Sequence, residues 1–205
     1  MILGITGSFG SGKTTVANIF KKYGFEVINA DKLYHGIYDK NKALRNKIKK
    51  EFGTLDRNKI KKIVFNDSKK LKKLNKITHP LIIKEIENEI SSIKKKFNKK
   101  NNKLINGEKF KNDIGNKIKI VIDAPLLIEA KATNLVDKVI VVKCNKNEQI
   151  KRILKNKKYS KNEIEQIIKS QVSINQKIKY ADFVVDNSRA INETEKQVNE
   201  IISLL

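Results

Sequence analysis

The chain has 205 residues, enough for one compact domain that buries a proper core. Its single cysteine, Cys144, excludes a disulfide framework and fits a reducing compartment. No apolar run approaches the roughly 18 residues of a membrane span, and "MILGITGSFGSGK" lacks the basic leader of a signal peptide. A cytoplasmic protein with no membrane partner is the expectation. The formal charge of +23 invites a nucleic-acid reading. Against it, only Arg45, Arg57, Arg152 and Arg189 among 45 basic residues are arginine, the side chain that reads bases and phosphates bidentately. The lysines travel instead with asparagine and isoleucine throughout, a compositional bias laid over solvated faces, so no nucleic-acid partner is expected.

In chain order, "MILGIT" (1–6) is an apolar run that predicts a buried strand ending in a glycine-rich turn. Val16, Ile19 and Phe20 then recur at helical spacing, and "YG" (23–24) supplies a stop. "FEVIN" (25–29) predicts a second strand, ending at Ala30-Asp31, followed by a basic helical stretch to about Glu51 and a turn at "FGTLDRNKI" (52–60). "THP" (78–80) is expected to open a helix, with Thr78 as cap and Pro80 in the first turn, where its missing N–H is harmless. Ile82, Ile86, Ile90, Ile93 and Phe97 continue it as an apolar stripe facing the core.

Residues 94–117, low-complexity Lys/Asn with scattered Gly, are expected to be a surface loop. "KIKIVIDAPLLIEA" (117–130) returns to a buried strand ending in Asp123, and "DKVIVVKC" (137–144) is the next strand. "YSKNEIEQIIKSQ" (159–171) is a helix with a capping box, Ser160 with Glu163. "ADFVVDN" (181–187) predicts the last strand and "NETEKQVNEIISLL" (192–205) a final amphipathic helix. Strands apolar on both faces and alternating with helices imply a parallel sheet covered on two sides.

The stretch from Gly7 to Thr14 satisfies G-x-x-x-x-G-K-[ST] between a predicted strand and a predicted helix, the context that gives the motif its meaning. Glycines such as Gly10 and Gly12, with Ser11 between them, let backbone N–H groups curl around phosphate oxygens at a helix N-terminus. Lys13 can bridge the β- and γ-phosphates of ATP, Thr14 can ligate Mg²⁺, and Thr15 can reach the α-phosphate. "NKNE" (145–148) resembles a guanine-reading motif, but glutamate stands where aspartate belongs, and "DAPLL" replaces the D-x-x-G of a GTPase. Asp123 closes "IVID", where a strand-terminal aspartate holds Mg²⁺ through water or caps the following turn; both readings stay open. His79, beside Pro80, is open between packing and a polar contact to substrate. These residues reach as far as a P-loop phosphotransferase or NTPase, with the acceptor unspecified.

The wider pattern resembles the dephospho-CoA kinase family. The resemblance runs through "GITGSFGSGKTTVANIFKKYGFEVINAD" (4–31), "FGTLDRNKIKKIVF" (52–65), "LNKITHPLI" (74–82), "DAPLLIEA" (123–130), "NEQIKRIL" (147–154) and "SQVSINQKIKYADFVVDN" (170–187). It implies a P-loop NTPase-type three-layer α/β/α fold with a parallel five-stranded sheet. The core would be 1–31, 117–146 and 173–205, with a helical substrate-binding insertion at 32–95 and a helical lid at 147–172. It also implies transfer of the ATP γ-phosphoryl to the ribose 3′-hydroxyl of dephospho-CoA by a monomer whose partners are these small molecules. Asp31 matches the family's general base, although it can also cap the helix beginning at Lys32. Arg152 matches a lid arginine, and Asn187 a position near the adenine. His79 falls near the base of the substrate insertion. At the second lid arginine this chain has Asn156 instead. Two other readings compete: a P-loop kinase acting on a nucleoside or nucleotide, and a nucleic-acid-binding protein with a regulatory ATP site.

Overall fold

The computed structural model describes residues 1–104, 118–155, 157 and 159–205. Five strands, β1 (Ile2–Gly7), β2 (Glu26–Asn29), β3 (Ile120–Asp123), β4 (Lys138–Lys143) and β5 (Phe183–Asp186), form one sheet in the order β2-β3-β1-β4-β5. Every pairing is parallel. The chain leaves β1 to one side, returns through β3 and then builds β4 and β5 on the other, so a topological switch point flanks β1.

The three central strands, β1, β3 and β4, are buried on both faces, which is why they read as continuous apolar runs. On one face Leu3, Ile5, Val121, Ile140 and Val142 pack against Val16 and Phe20 of α1 (Lys13–Lys22) and Val198 and Ile201 of α9 (Ile191–Ser203). On the other, Ile28, Ile120, Ile122, Val139 and Val141 meet Ile86 and Ile90 of α5 (Ser68–Leu104), with Ile174 and Ile178 of α8 (Ile174–Ile178) at its edge. The three-layer architecture expected from the sequence is therefore present. Among the described residues, no helix is long and apolar enough to cross a membrane.

Between β2 and β3 the described residues make four consecutive helices. The basic stretch after Asp31 does not run as one: α2 (Ala30–Lys40) and α3 (Lys42–Phe52) divide at Asn41, whose side chain accepts from the Leu44 N–H at 2.9 Å. An asparagine that satisfies an orphan donor this way starts a helix without any glycine or proline to announce it. Gly53, at φ 71°, ends α3, and Asp56 caps α4 (Arg57–Asn66). Tyr38, Leu44, Ile48, Phe52, Ile60 and Val64 form a separate apolar cluster, joined by Leu71, Leu74 and Ile77 of α5.

Two expectations fail on α5. "THP" does not open a helix; Thr78 and Pro80 lie inside a 37-residue one. The Thr78 hydroxyl donates back to the Leu74 carbonyl at 2.9 Å, the way a buried threonine satisfies itself in mid-helix. Residues 94–104, expected as the start of a loop, continue the helix. Between Leu81 and Gly107 there is no glycine or proline, and lysine is a sound helix former, so low complexity carried no break signal there. The rest of the expected loop, 105–117, lies outside the described residues.

Beyond β4, α6 (Lys146–Lys155) and α7 (Lys161–Ser170) lead through α8 into β5. The Ser160–Glu163 capping box forms as expected.

Pro80 is exposed and removes the N–H that would meet the Lys76 carbonyl. Pro80→Ala should raise stability by about 2 kcal/mol, the helix-interior cost of proline less the extra freedom given to the unfolded chain. In a thermal melt this is a rise of roughly 4–8 °C; an unchanged or lowered midpoint would contradict it.

Candidate active site

Register brings the site together. Ile5 of β1 and Asn29 of β2 both pair with Asp123 of β3, so three strand ends open on one edge of the sheet. The phosphate loop leaves β1 there and enters α1 at Gly12, whose φ is 90°. A Cβ at Gly12 would sit 1.9 Å from the Asn187 amide nitrogen, and one at Gly10, φ 77°, would sit 2.5 Å from Ile153 Cδ1. Only glycine fits at either place. No side chain caps α1, so the amides of its first turn remain open to an anion.

The Lys13 side chain folds back over the loop, donating to the Ser8 carbonyl at 2.9 Å. It is buried, and burial lowers its ammonium to about 8; Lys177 adds to the lowering, while Asp123, Asp31 and Glu129 oppose it. Thr14 and Thr15 are exposed on the first turn. Thr14 Oγ1 donates to Asp123 Oδ2 at 2.8 Å, and Asn29 Nδ2 donates to the same oxygen at 3.0 Å. Asp123 itself is buried. Its carboxylate is thus turned toward the phosphate loop.

Asp31 stands in the first turn of α2. The cap that the sequence left open to it belongs to Asn29, whose side chain accepts from the Lys32 N–H at 2.9 Å. Asp31 is therefore released from capping and remains accessible to solvent. The protein behind it still raises its carboxyl pKa by desolvation; Lys13 pulls it down and Asp123 pushes it further up. Asp31, Ala30, His79, Ala124, Pro125 and Leu127 are among the residues around a small cavity of about 60 Å³. His79 Nε2 is buried and has no hydrogen-bond partner among the described residues. Burial lowers the imidazole's pKa and so favours its neutral form, against the attraction of Glu129, which raises it.

On the opposite side stand α6 and α7. Arg152 donates from Nε to Glu148 at 3.0 Å and from Nη1 to the Asn187 carbonyl at 2.8 Å. The Asn187 side chain is buried beneath the phosphate loop: Nδ2 donates to the Ser11 carbonyl at 2.9 Å and Oδ1 accepts from Thr194 at 2.9 Å. In this structure its polar atoms support the loop. Asn156 and its neighbour Lys158 lie outside the described residues.

Several contacts had no signal in the sequence reading. The Phe9 N–H donates to Gln171 Oε1 at 2.8 Å, and its carbonyl accepts from Gln149 Nε2, so both ends of the α6–α7 segment grip the phosphate loop. The Phe9 and Tyr159 rings meet edge-to-face at 5.3 Å. Tyr159 in turn accepts from Lys61 Nζ at 3.1 Å, and Gln166 donates to Asn66 at 3.0 Å, linking α7 to α4.

Two outcomes follow from this geometry. Gly12→Ala should fold poorly or bind ATP at least tenfold more weakly, since its methyl displaces the Asn187 amide that holds the loop; unchanged affinity in a titration would contradict this. Lys13 must be protonated to attract phosphate. Because its pKa is lowered, kcat/KM for ATP should be full below pH 8 and fall as pH rises through about 8, not 10.

With the site described, comparison with known proteins places it. A family model described as dephospho-CoA kinase matches residues 1–193. A dephospho-CoA kinase from Carboxydothermus hydrogenoformans is 36% identical over 209 residues, covering 98% of this chain and 92% of that protein. The solved dephospho-CoA kinase from Campylobacter jejuni superposes with a TM-score of 0.63 at 27% identity, covering 98% of this chain and 95% of that one. A Thermus thermophilus crystal structure shares the fold, with a TM-score of 0.75 at 24% identity over 100% of this chain and 97% of its own. Whole-length likeness of this kind, carried through the phosphate loop and both flanking helical segments, means that the chain belongs to the dephospho-CoA kinase family.

Proposed function

We propose that this chain transfers the γ-phosphoryl group of ATP to the ribose 3′-hydroxyl of dephospho-CoA, with Asp31 as the base. The observation that carries the assignment of Asp31 is its freedom: Asn29 caps α2, and Asp31 keeps an accessible carboxylate facing Lys13. In the step, the acceptor oxygen bonds to γ-phosphorus, the bond from γ-phosphorus to the β–γ bridging oxygen breaks, and ADP leaves. The hydroxyl proton passes to Asp31. A carboxyl raised above its usual range is a better proton acceptor than an ordinary surface aspartate.

The loop amides and Lys13 hold the phosphates, which directs the γ-phosphoryl toward the edge where Asp31 stands. Lys13 exchanges its bond to the Ser8 carbonyl for phosphate oxygens. Arg152 lies beside Gly12, so it supplies positive charge as transfer proceeds. His79 and the cavity around it form the acceptor side, where the orphaned Nε2 offers a polar contact to the sugar. The insertion centred on α2–α4 carries the rest of the acceptor, and α6–α7 act as the lid.

A hydroxyl and a carboxylate held 2.8 Å apart are hard oxygen donors of the kind that suits a divalent cation. Thr14 and Asp123 would hold Mg²⁺ here. When bound, it neutralises charge on the β- and γ-phosphates. The need is electrostatic, because a polyphosphate must otherwise approach Asp31, Asp123 and Glu129 together.

The test is ADP release with ATP and dephospho-CoA, set against adenosine and AMP as acceptors. Dephospho-CoA should support turnover and the others should not. Asp31→Asn should lower kcat by roughly 10²–10⁴-fold while the protein stays folded, and Lys13→Ala should abolish turnover. Near-normal kcat in Asp31→Asn would remove the base assignment; equal turnover with AMP would remove the acceptor assignment.

A further inference from the structure

The scheme above leaves unused one buried cation. Lys177 of α8 has a side chain with no exposed surface. Its ammonium donates to the Pro125 carbonyl at 2.7 Å and lies 2.9 and 3.1 Å from the two oxygens of Glu129. Neither partner is private to it. The Pro125 carbonyl also accepts from Thr6 Oγ1 at 3.1 Å, and Glu129 Oε1 also accepts from the Val172 N–H at 3.1 Å. Four segments therefore meet on a single ion pair: the end of β1 before the phosphate loop, the turn after Asp123, the residues that follow α7, and α8.

The last link matters most. Gln171, next to Val172, holds the Phe9 N–H of the phosphate loop. The segment 171–172 is thus pinned to the phosphate loop by one residue and to the Lys177–Glu129 pair by the next. A buried ion pair is seldom the most stable filling for a core, because two charges must leave water to form it. It does, however, fix its partners in direction as well as distance, which apolar packing does not.

We propose that the Lys177–Glu129 pair is a positioning element for phosphoryl transfer, holding the segment after α7 in register with the turn after Asp123 so that α6–α7 seat correctly over the phosphate loop. The inference rests on the kinase reading above. It assigns no contact between the pair and either substrate.

The experiment compares Lys177→Met, Glu129→Ala and Glu129→Gln with the parent in steady-state kinetics, alongside thermal melts. Lys177→Met and Glu129→Ala should lower kcat by roughly tenfold or more, with KM for ATP changed less than about threefold. Glu129→Gln retains an Oε1 for Lys177 and Val172 but sets an amide N–H where Oε2 accepted from the ammonium, so its kcat should fall between those of the parent and Glu129→Ala. A purely structural defect would lower the melting point without this rescue pattern.

Parental kcat in folded Lys177→Met or Glu129→Ala would overturn the proposal. So would a Glu129→Gln variant as impaired as Glu129→Ala. If Lys177→Met does not fold, the Glu129→Ala and Glu129→Gln pair decides by the same criterion. A parent that releases no ADP with dephospho-CoA would instead refute the kinase reading, an outcome visible before any variant is made.

Discussion

The pairing of β3 with both β1 and β2 is the constraint on which the rest of this molecule depends. Because strands in a parallel sheet advance together, one register places Asp123 level with Ile5 and with Asn29. Everything chemical at that edge is then reached within a residue or two: the phosphate loop beyond β1, Asn29 and Asp31 beyond β2, and the Asp123 carboxylate at the end of β3. A slip of one residue in β3 would turn Asp123 to the opposite face of the sheet and replace it with an apolar side chain. The buried isoleucines and valines on both faces prevent that slip, since each must enter one of two different cores. Packing and chemistry are thus specified by the same alternation.

The electrostatics of the edge run opposite to those of the whole chain. The protein carries a large positive excess, yet Lys13 is surrounded by Asp31, Asp123 and Glu129 with Lys177 alone adding to its own charge. A distant basic surface draws anions toward the molecule, while the local carboxylates temper the pull of Lys13 on phosphate. The desolvation that weakens the Lys13 ammonium also strengthens each interaction it forms once phosphate arrives, because little water remains to screen them.

What the sequence discloses and what it hides divide along physical lines. The phosphate loop is legible because its function is performed by the main chain, and glycine spacing records main-chain shape directly. The three central strands are legible because burial on both faces leaves unbroken apolar runs. The helices of the insertion are harder. Asn41 splits what composition presents as one basic segment, and 94–104 stays helical although its letters look like filler. Thr78 and Pro80 carry start signals that a long helix overrides, since packing on either side outweighs one missing hydrogen bond. Of the candidate site residues, Lys13, Thr14, Asp31 and Asp123 converge as their motifs imply. Gln149, Gln171 and Lys177 were silent because their importance is a matter of long-range contact; Lys177 in particular is one basic residue among 45.

The length of α5 has a mechanical meaning. At about 1.5 Å per residue, its 37 residues span roughly 55 Å. Leu71, Leu74, Ile77 and Leu81 bond its first part into the cluster formed by α2–α4, and Ile82, Ile86, Ile90 and Ile93 bond its second part to the sheet. A single beam is therefore embedded in two masonry blocks, and neither block can translate without dragging the other. Its only notch among the described residues is Pro80, which lies at the mortar line between the two sets of leucines and isoleucines. The beam is therefore weakest at Pro80, where one main-chain hydrogen bond along its length is missing.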